Sequence, residues 1–312
     1  MKIVIPGGSG HVGTVLARAF HDRGDDVVVL SRRPEVRQWR VSAWDGATLG
    51  AWQREIDGSD VVINLAGRSV NCRYNQANRD EILRSRVDST RVVGEAIAAS
   101  RRPPRVWLQA STATIYAHRY DAPNDEHTGI IGGGEPQAPD TWRFSIDVAR
   151  AWERAFDEST RTRKLALRSA MTMSPDQGGI FDTLAGLVRR GLGGRAGDGR
   201  QFISWIHEHD FVAAIQFLIE QEDIAGIVNV AAPNPLPNAE FMRVLREACG
   251  VRFGLPANRL MLEIGAIAMR TETELILKSR RVVPARLLEN GFRFVYPEWP
   301  EAARDLCARS RK

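Results

Sequence analysis

The chain has 312 residues, 43% of them hydrophobic, and a formal net charge of +5. That is enough apolar material for a full core, which excludes a disordered or collagenous chain; the length suits one large α/β unit, or such a unit with a smaller lobe. The basic residues are spread along the chain and most arginines neighbour an acidic residue, so no concentrated basic face for nucleic acid is expected.

The first element is "KIVI" (2–5), an apolar run ended by Pro6 and two glycines, which predicts a buried parallel strand. Val12, Val15, Leu16 and Phe20 then recur at helical spacing up to Gly24, a helix stop. "VVVL" (27–30) is a second buried strand. Between the first strand and the helix lies GxxGxxG, with Gly7, Gly10 and Gly13. Gly7 permits the sharp turn, Gly10 lets backbone approach a pyrophosphate, and Gly13 lets helix and strand pack closely. Ser9, Gly10, His11 and Val12 put backbone N–H groups at the helix start, where a phosphate is favoured. A dinucleotide site is predicted here because strand, loop, helix and second strand follow in the required order. The plainer alternative is a structural glycine turn.

The second strand ends in "LSRRP". A site for NAD places an acidic residue there for the ribose 2′-hydroxyl; this chain has Ser31 and Arg32, and an arginine suits a 2′-phosphate. The expected cofactor is therefore NADP(H), the alternative being two exposed loop arginines.

Strands and helices keep alternating. "DVVINLAG" (60–67) is a strand entering a small-residue loop, 79–99 a helix, "RVWLQAST" (105–112) a strand, 142–157 a helix and "KLALRSA" (164–170) a strand. This pattern predicts an α/β fold of the Rossmann type, a doubly wound parallel sheet. From about residue 171 the chain becomes glycine-rich, with helices at 180–190 and 210–221 and "GIVNVAAP" as a strand. We expect residues 1–234 to form the nucleotide-binding domain, with substrate-lobe segments interleaved from about 171, and 235–312 to form a smaller C-terminal lobe. The terminal "CARSRK" is expected to fray.

Cys72, Cys249 and Cys307 lie far apart with no CxxC pair or His/Cys cluster, which predicts a reducing compartment and no structural metal. The chain enters a strand at once and has no bilayer-length apolar run, so no signal peptide, no membrane partner and a cytoplasmic location are expected.

With these pieces in place the sequence resembles the short-chain dehydrogenase/reductase superfamily, extended type. More narrowly, it resembles the atypical branch called epimerase family proteins, related to nucleoside-diphosphate-sugar epimerases. The resemblance is carried by "GGSGHVG", "VVVLSRRP", "DVVINLAG", "SRVDST", "GLGGRAGDGRQFISWIHEHD", "NVAAPNPLPNAEF" and "VVPARLLENGFRFVYP". It implies that Leu65, Ala66 and Gly67 line the ribose and nicotinamide side, that Glu81 and Arg86 lie on the following helix with Arg86 toward the cofactor, and that Met171 sits at the carboxamide end. It implies Thr112 as the serine-equivalent hydroxyl, with Ser111 the residue kept in the closer branch, and Tyr116 as a residue near the substrate. It also allows a homodimer.

The superfamily's YxxxK pair is missing. In "TWRFSIDVARAWERAF" the alignment on Trp152 and Glu153 leaves Ser145 where the tyrosine belongs and Ala149 where the lysine belongs. Neither is an acid near neutral pH, so proton delivery needs another group. Tyr116 and His207 are the candidates, with Asp210 read as a helix cap. Arg200, Gln201, Trp205 and His207 are candidate contacts for a small polar substrate, an anionic one being open, with Arg200 contributing by charge pairing. Two readings stay open: an NADP-binding oxidoreductase or epimerase-like enzyme, and a silent NADP(H)-sensing or protein-interaction module.

Overall fold

A computed structural model describes residues 1–135, 138–157, 162–258, 261–263 and 272–310. The chain opens with β1 (Lys2–Pro6), α1 (His11–Asp22), β2 (Asp26–Ser31) and β3 (Arg40–Ala43). It continues through α2 (Gln53–Ile56), β4 (Val61–Asn64), α3 (Gln76–Ala99) and β5 (Val106–Thr112). After a 3-10 turn at Ala113–Ile115 come α4 (Asp140–Asp157), β6 (Arg163–Ser169), β7 (Met171–Met173) and α5 (Ile180–Arg189). The next elements are β8 (Phe202–Ile203), β9 (Trp205–His207), α6 (Glu208–Glu220), β10 (Gly226–Val230), β11 (Leu236–Pro237) and α7 (Asn238–Cys249).

Seven strands pair in the order β10-β6-β5-β4-β1-β2-β3, and every pair is parallel. This is the doubly wound Rossmann-type sheet. Its inner strands carry long apolar runs because both faces are covered. Ile3 and Ile5 of β1 turn to one face, against Leu16 and Phe20 of α1 and Phe211 and Ile215 of α6. Val4 turns to the other, with Val92 and Val93 of α3 and Phe156 of α4. The chain reverses its direction of travel across the sheet between β1 and β4, so a crevice opens beyond their carboxyl ends.

A second core lies outside the sheet. Phe181, Trp205, Phe241, Trp299 and Leu306 come together there, with Phe241 stacked on Trp299 at 4.1 Å. It joins β9, α5 and α7 to the C-terminal helix Trp299–Arg309. Among the described residues no helix is long and apolar enough to cross a membrane.

The edge strand β3, which the sequence does not lead us to expect, carries little apolar signal because it is half exposed, with the pattern exposed, intermediate, intermediate, exposed. Two local expectations change. Helix α6 begins at Glu208, and its cap is His207, whose ring nitrogen accepts from the His209 N–H at 3.1 Å. Asp210 therefore does not cap it; its fully buried carboxylate accepts from the N–H groups of Val295 at 2.9 Å and Tyr296 at 2.8 Å. Finally, "CARSRK" does not fray at its start: Cys307 is buried in the last helix, while residues 311 and 312 lie outside the described residues.

Candidate active site and cofactor groove

The loop after β1 is shaped by its glycines in two different ways. Gly7 has φ +74°, and a Cβ there would lie 2.6 Å from Ala66 Cα. A Cβ on Gly13 would lie 2.5 Å from Gly8 Cα. Both are required by the protein's own packing. Gly10 is exposed, and a Cβ there would meet nothing nearer than Gly7 O at 3.8 Å. Nothing in the folded chain's packing demands glycine at this position, and the space beside it is open to the approach of a ligand. Gly10 precedes α1, whose first turn holds no acidic residue and no side-chain cap. Its amide end is thus open toward an anion. The His11 ring lies where a Cβ of Gly179 would fall, 2.4 Å away, and its buried Nε2 has no hydrogen-bond partner among the described residues.

At the end of β2 the Ser31 hydroxyl donates to Ser9 Oγ at 3.2 Å and accepts from the Arg33 N–H at 3.2 Å, tying the two loops together. Arg32 is exposed. A shallow recess here is lined by Ser9, Ser31, Arg33, Arg37 and Trp39, with Arg37 paired to Glu35 at 2.7 Å.

The main cavity, about 330 Å³, lies beyond the carboxyl ends of β4, β5 and β6. Val12 and Leu65 line its cofactor-loop side. The "NLAG" loop is pinned by Asn64, whose side chain donates to Gln109 Oε1 at 2.9 Å and accepts from the Ala66 N–H at 3.1 Å. Ala66 is itself buried against Gly7. Gly67 faces Arg86: a Cβ there would come within 3.3 Å of Arg86 Cγ. Arg86 lines the cavity, lies over the Trp152 ring at 5.0 Å, and donates to the carbonyls of Arg68 and Ile82. Burial pulls its pKa down to about 10. Glu81 does not share this place. It is partly exposed and paired with Arg68, so it falls outside the cavity lining. Met171 also packs away, against the second core, while its neighbours Ala170 and Thr172 face the cavity.

Ser111 and Thr112 both reach the cavity from the end of β5, in different states. Ser111 donates to Glu153 Oε1 at 2.6 Å, and Glu153 also holds Arg168. Thr112 Oγ1 accepts from the Thr114 N–H at 3.1 Å and caps the 3-10 turn. That turn carries Tyr116 away. Its hydroxyl donates to Asn229 Oδ1 at 2.9 Å, its ring lies under Arg168, and burial pushes its pKa up. Tyr116 is 2% exposed and is not on the cavity lining, which removes it as a proton donor.

The four proposed substrate contacts are not brought together there either. Arg200 is exposed and lies over the Tyr120 ring at 5.5 Å. Gln201 is buried and donates to the carbonyls of Ala196 and Ile276. Trp205 is fully buried against Trp299. His207 is fully buried, stacked on Tyr296 at 4.0 Å and hydrogen-bonded to Asp305 at 3.0 Å; burial lowers its pKa. Their segment runs through the second core instead of along the cleft, because β9 pairs with β7 and not with the main sheet.

What does face the cavity from α4 is Ser145, with Ala149 one turn further. Ser145 Oγ donates to Glu274 Oε2 at 2.5 Å. Glu274 starts a short helix, Glu274–Leu277, and is 1% exposed. Tyr74 lies beside them, its pKa pushed up to about 12, first by burial and then by the Glu274 carboxylate. Sequence reasoning missed both: Tyr74 stands in an irregular loop, and Glu274 is far along the chain with no motif around it.

Residues 3–231 match the NAD dependent epimerase/dehydratase family, and residues 259–306 match a domain of unknown function, DUF1731. The epimerase family protein SDR39U1 of Bos taurus is 31% identical over 99% of this chain and 100% of its own. The epimerase family protein YfhF of Bacillus subtilis is 29% identical over 99% and 98%. Among solved structures, human SDR39U1 (isoform 2) with NADPH superimposes with a TM-score of 0.85 at 27% identity, covering 99% of both chains. A nucleoside-diphosphate sugar epimerase from Corynebacterium glutamicum gives 0.75 at 27% identity, over 98% of this chain and 58% of that one. The chain therefore belongs to the NAD-dependent epimerase/dehydratase family of extended short-chain dehydrogenases/reductases.

Proposed function

We propose that this protein is an NADP(H)-dependent oxidoreductase or epimerase-like enzyme, acting on a small carbonyl or alcohol held in the 330 Å³ cavity. The observation that carries the reading is the placement of Gly10. It is a glycine the fold does not need, at the open amide end of α1, on a loop whose Val12 lines the same cavity as Thr112. Gly7, Ser9, Gly10, His11, Val12 and Gly13 hold the diphosphate. Ser31 and Arg32 meet the 2′-phosphate at the end of β2, where the nearby carboxylate, Glu35, is paired with Arg37. Leu65, Ala66 and Gly67 flank the nicotinamide side, with Arg86 behind them. The group supplies or accepts a hydride when bound. The protein's own part is to orient the substrate oxygen with Thr112 and to exclude water with Val70, Phe144, Val148 and Trp152. That lining favours a compact substrate with apolar surface and few charges. NADPH in the human relative's structure supports the cofactor assignment. On this reading residues 1–234 carry the cofactor and residues 235–312 complete the substrate cavity.

Calorimetric titration with NADPH, NADP+, NADH and NAD+ tests the reading. Binding of the phosphorylated pair in preference to the other is the expected result. Binding of none of the four overturns it.

A further inference from the structure

Among the described residues the cavity lining holds one carboxyl group, which balances the buried Arg280 and Lys278 and still leaves one of its oxygens without a partner. Glu274 is 1% exposed and lines the cavity. Its Oε2 accepts from Ser145 at 2.5 Å, while its Oε1 is buried with no hydrogen-bond partner among the described residues. An unpartnered buried carboxyl oxygen costs stability and is kept where chemistry uses it.

We propose that Glu274 is the catalytic proton donor and acceptor for the substrate oxygen; this rests on the oxidoreductase reading above. The segment that delivers it is anchored on both sides. Glu272 Oε1 accepts from the Tyr74 N–H at 2.7 Å, and Lys278 Nζ donates to Thr114 O at 2.6 Å. Arg280 donates to Thr114 Oγ1 at 3.1 Å and to Glu274 O at 3.3 Å. Thr114 and Tyr74 themselves line the cavity, so Glu274 is fixed to the same walls that carry Thr112. The geometry is that of a held acid.

The charged and titratable groups around it are Arg280 and Lys278, which favour the ionised carboxylate, and Glu272, which opposes it. Tyr74 adjoins it, and Arg86 lines the same cavity. Burial is the largest influence and raises the Glu274 pKa. Tyr74, the phenol in the cavity, holds its proton to about 12 and is a poor partner for reversible transfer near neutrality. When a carbonyl is reduced, its oxygen gains the electron pair of the broken C=O π bond and takes the proton from Glu274, which is left as carboxylate. The hydride added to carbon comes from the reduced nicotinamide dinucleotide, which becomes oxidised. In the reverse direction the carboxylate takes the hydroxyl proton as the hydride leaves carbon.

Proton linkage tests this without a known substrate. NADP+ and NADPH are titrated calorimetrically near neutral pH in two buffers of different ionisation enthalpy, which counts protons released on binding. The positively charged ring of NADP+ favours ionised Glu274, so wild type is expected to release more protons with NADP+ than with NADPH. In Glu274→Gln the difference should vanish while both nucleotides still bind within about threefold of wild type, an amount below one hydrogen bond. Glu274→Asp should keep the difference, which excludes misfolding as its cause. An equal release with both nucleotides in wild type, or an undiminished difference in Glu274→Gln, overturns the proposal. Failure of wild type to bind either nucleotide overturns the oxidoreductase reading itself, and this inference with it.

Discussion

Ser111 gives its hydroxyl proton to Glu153 at 2.6 Å, and that same carboxylate grips Arg168 through both of its oxygens at 2.9 and 2.8 Å. Two adjacent hydroxyls at the end of β5 therefore do different work. Ser111 is committed to the scaffold, while among the described residues the hydroxyl hydrogen of Thr112 is bonded to nothing. Ser111→Ala is expected to lower unfolding stability in urea by about 1.5–3 kcal/mol, the usual cost of losing a bond to a charged group, with turnover kept. Thr112→Ala loses the cap of the 3-10 turn, for which about 0.5–2 kcal/mol is expected, and should in addition cut turnover about a hundredfold, as loss of an oxygen-orienting donor does.

Glu153→Gln asks more of the fold. The Arg168 side chain is 7% exposed, and its pKa is raised, against the cost of burial, by the hydrogen bonds and charge of Glu153. Removing that charge leaves a buried cation unpaired, and a loss of about 3 kcal/mol is expected in chemical denaturation. Arg168→Met with Glu153→Gln should recover part of it.

The glycine loop separates two kinds of requirement. Gly13→Ala drives a methyl to 2.5 Å from Gly8 Cα and should destabilise the fold by about 1–3 kcal/mol. Gly10→Ala has room, so its melting temperature should match wild type while NADPH affinity falls at least tenfold, about 1.4 kcal/mol. Equal NADPH affinity in Gly10→Ala and wild type would remove the diphosphate from this loop.

For Arg32→Ala we expect NADPH affinity to drop about tenfold, the size of one charge-assisted hydrogen bond to a phosphate, with NADH affinity unchanged. The loss should shrink as salt is raised, because Arg32 is exposed and screened.

Lys278 offers a prediction in pH. Burial pulls its pKa from 10.5 to about 8, so between these values the unfolded chain binds a proton that the folded chain does not. Stability contributed by this residue therefore rises with pH across that window and is lowest below it. Denaturation of wild type and Lys278→Met, compared at pH 7 and pH 10, should show wild type gaining on the variant as pH rises.

Much of this architecture is legible in the chain because parallel strands covered on both faces read as continuous apolar runs. "KIVI", "VVVL" and "VVIN" all fall in the sheet. Strand β3 is not legible that way, since an edge needs no such run. Tyr116 and His207 look like acid–base candidates by residue type, and only packing reveals that Asn229 and Asp305 have engaged them. Glu274 carries no local signal at all. Its meaning comes from Ser145, 129 positions earlier, and contacts at that separation are set by how lobes dock.

That separation also orders events during synthesis. The seventh strand of the sheet ends at Val230, and the glycine loop is finished long before it. Glu272, Glu274, Lys278 and Arg280 leave the ribosome only afterwards. A nascent chain can thus complete its glycine loop and sheet before the carboxyl of the proposed acid has been synthesised. This late segment brings the proposed acid, so the cavity acquires its proposed chemistry only when residues 272–280 dock.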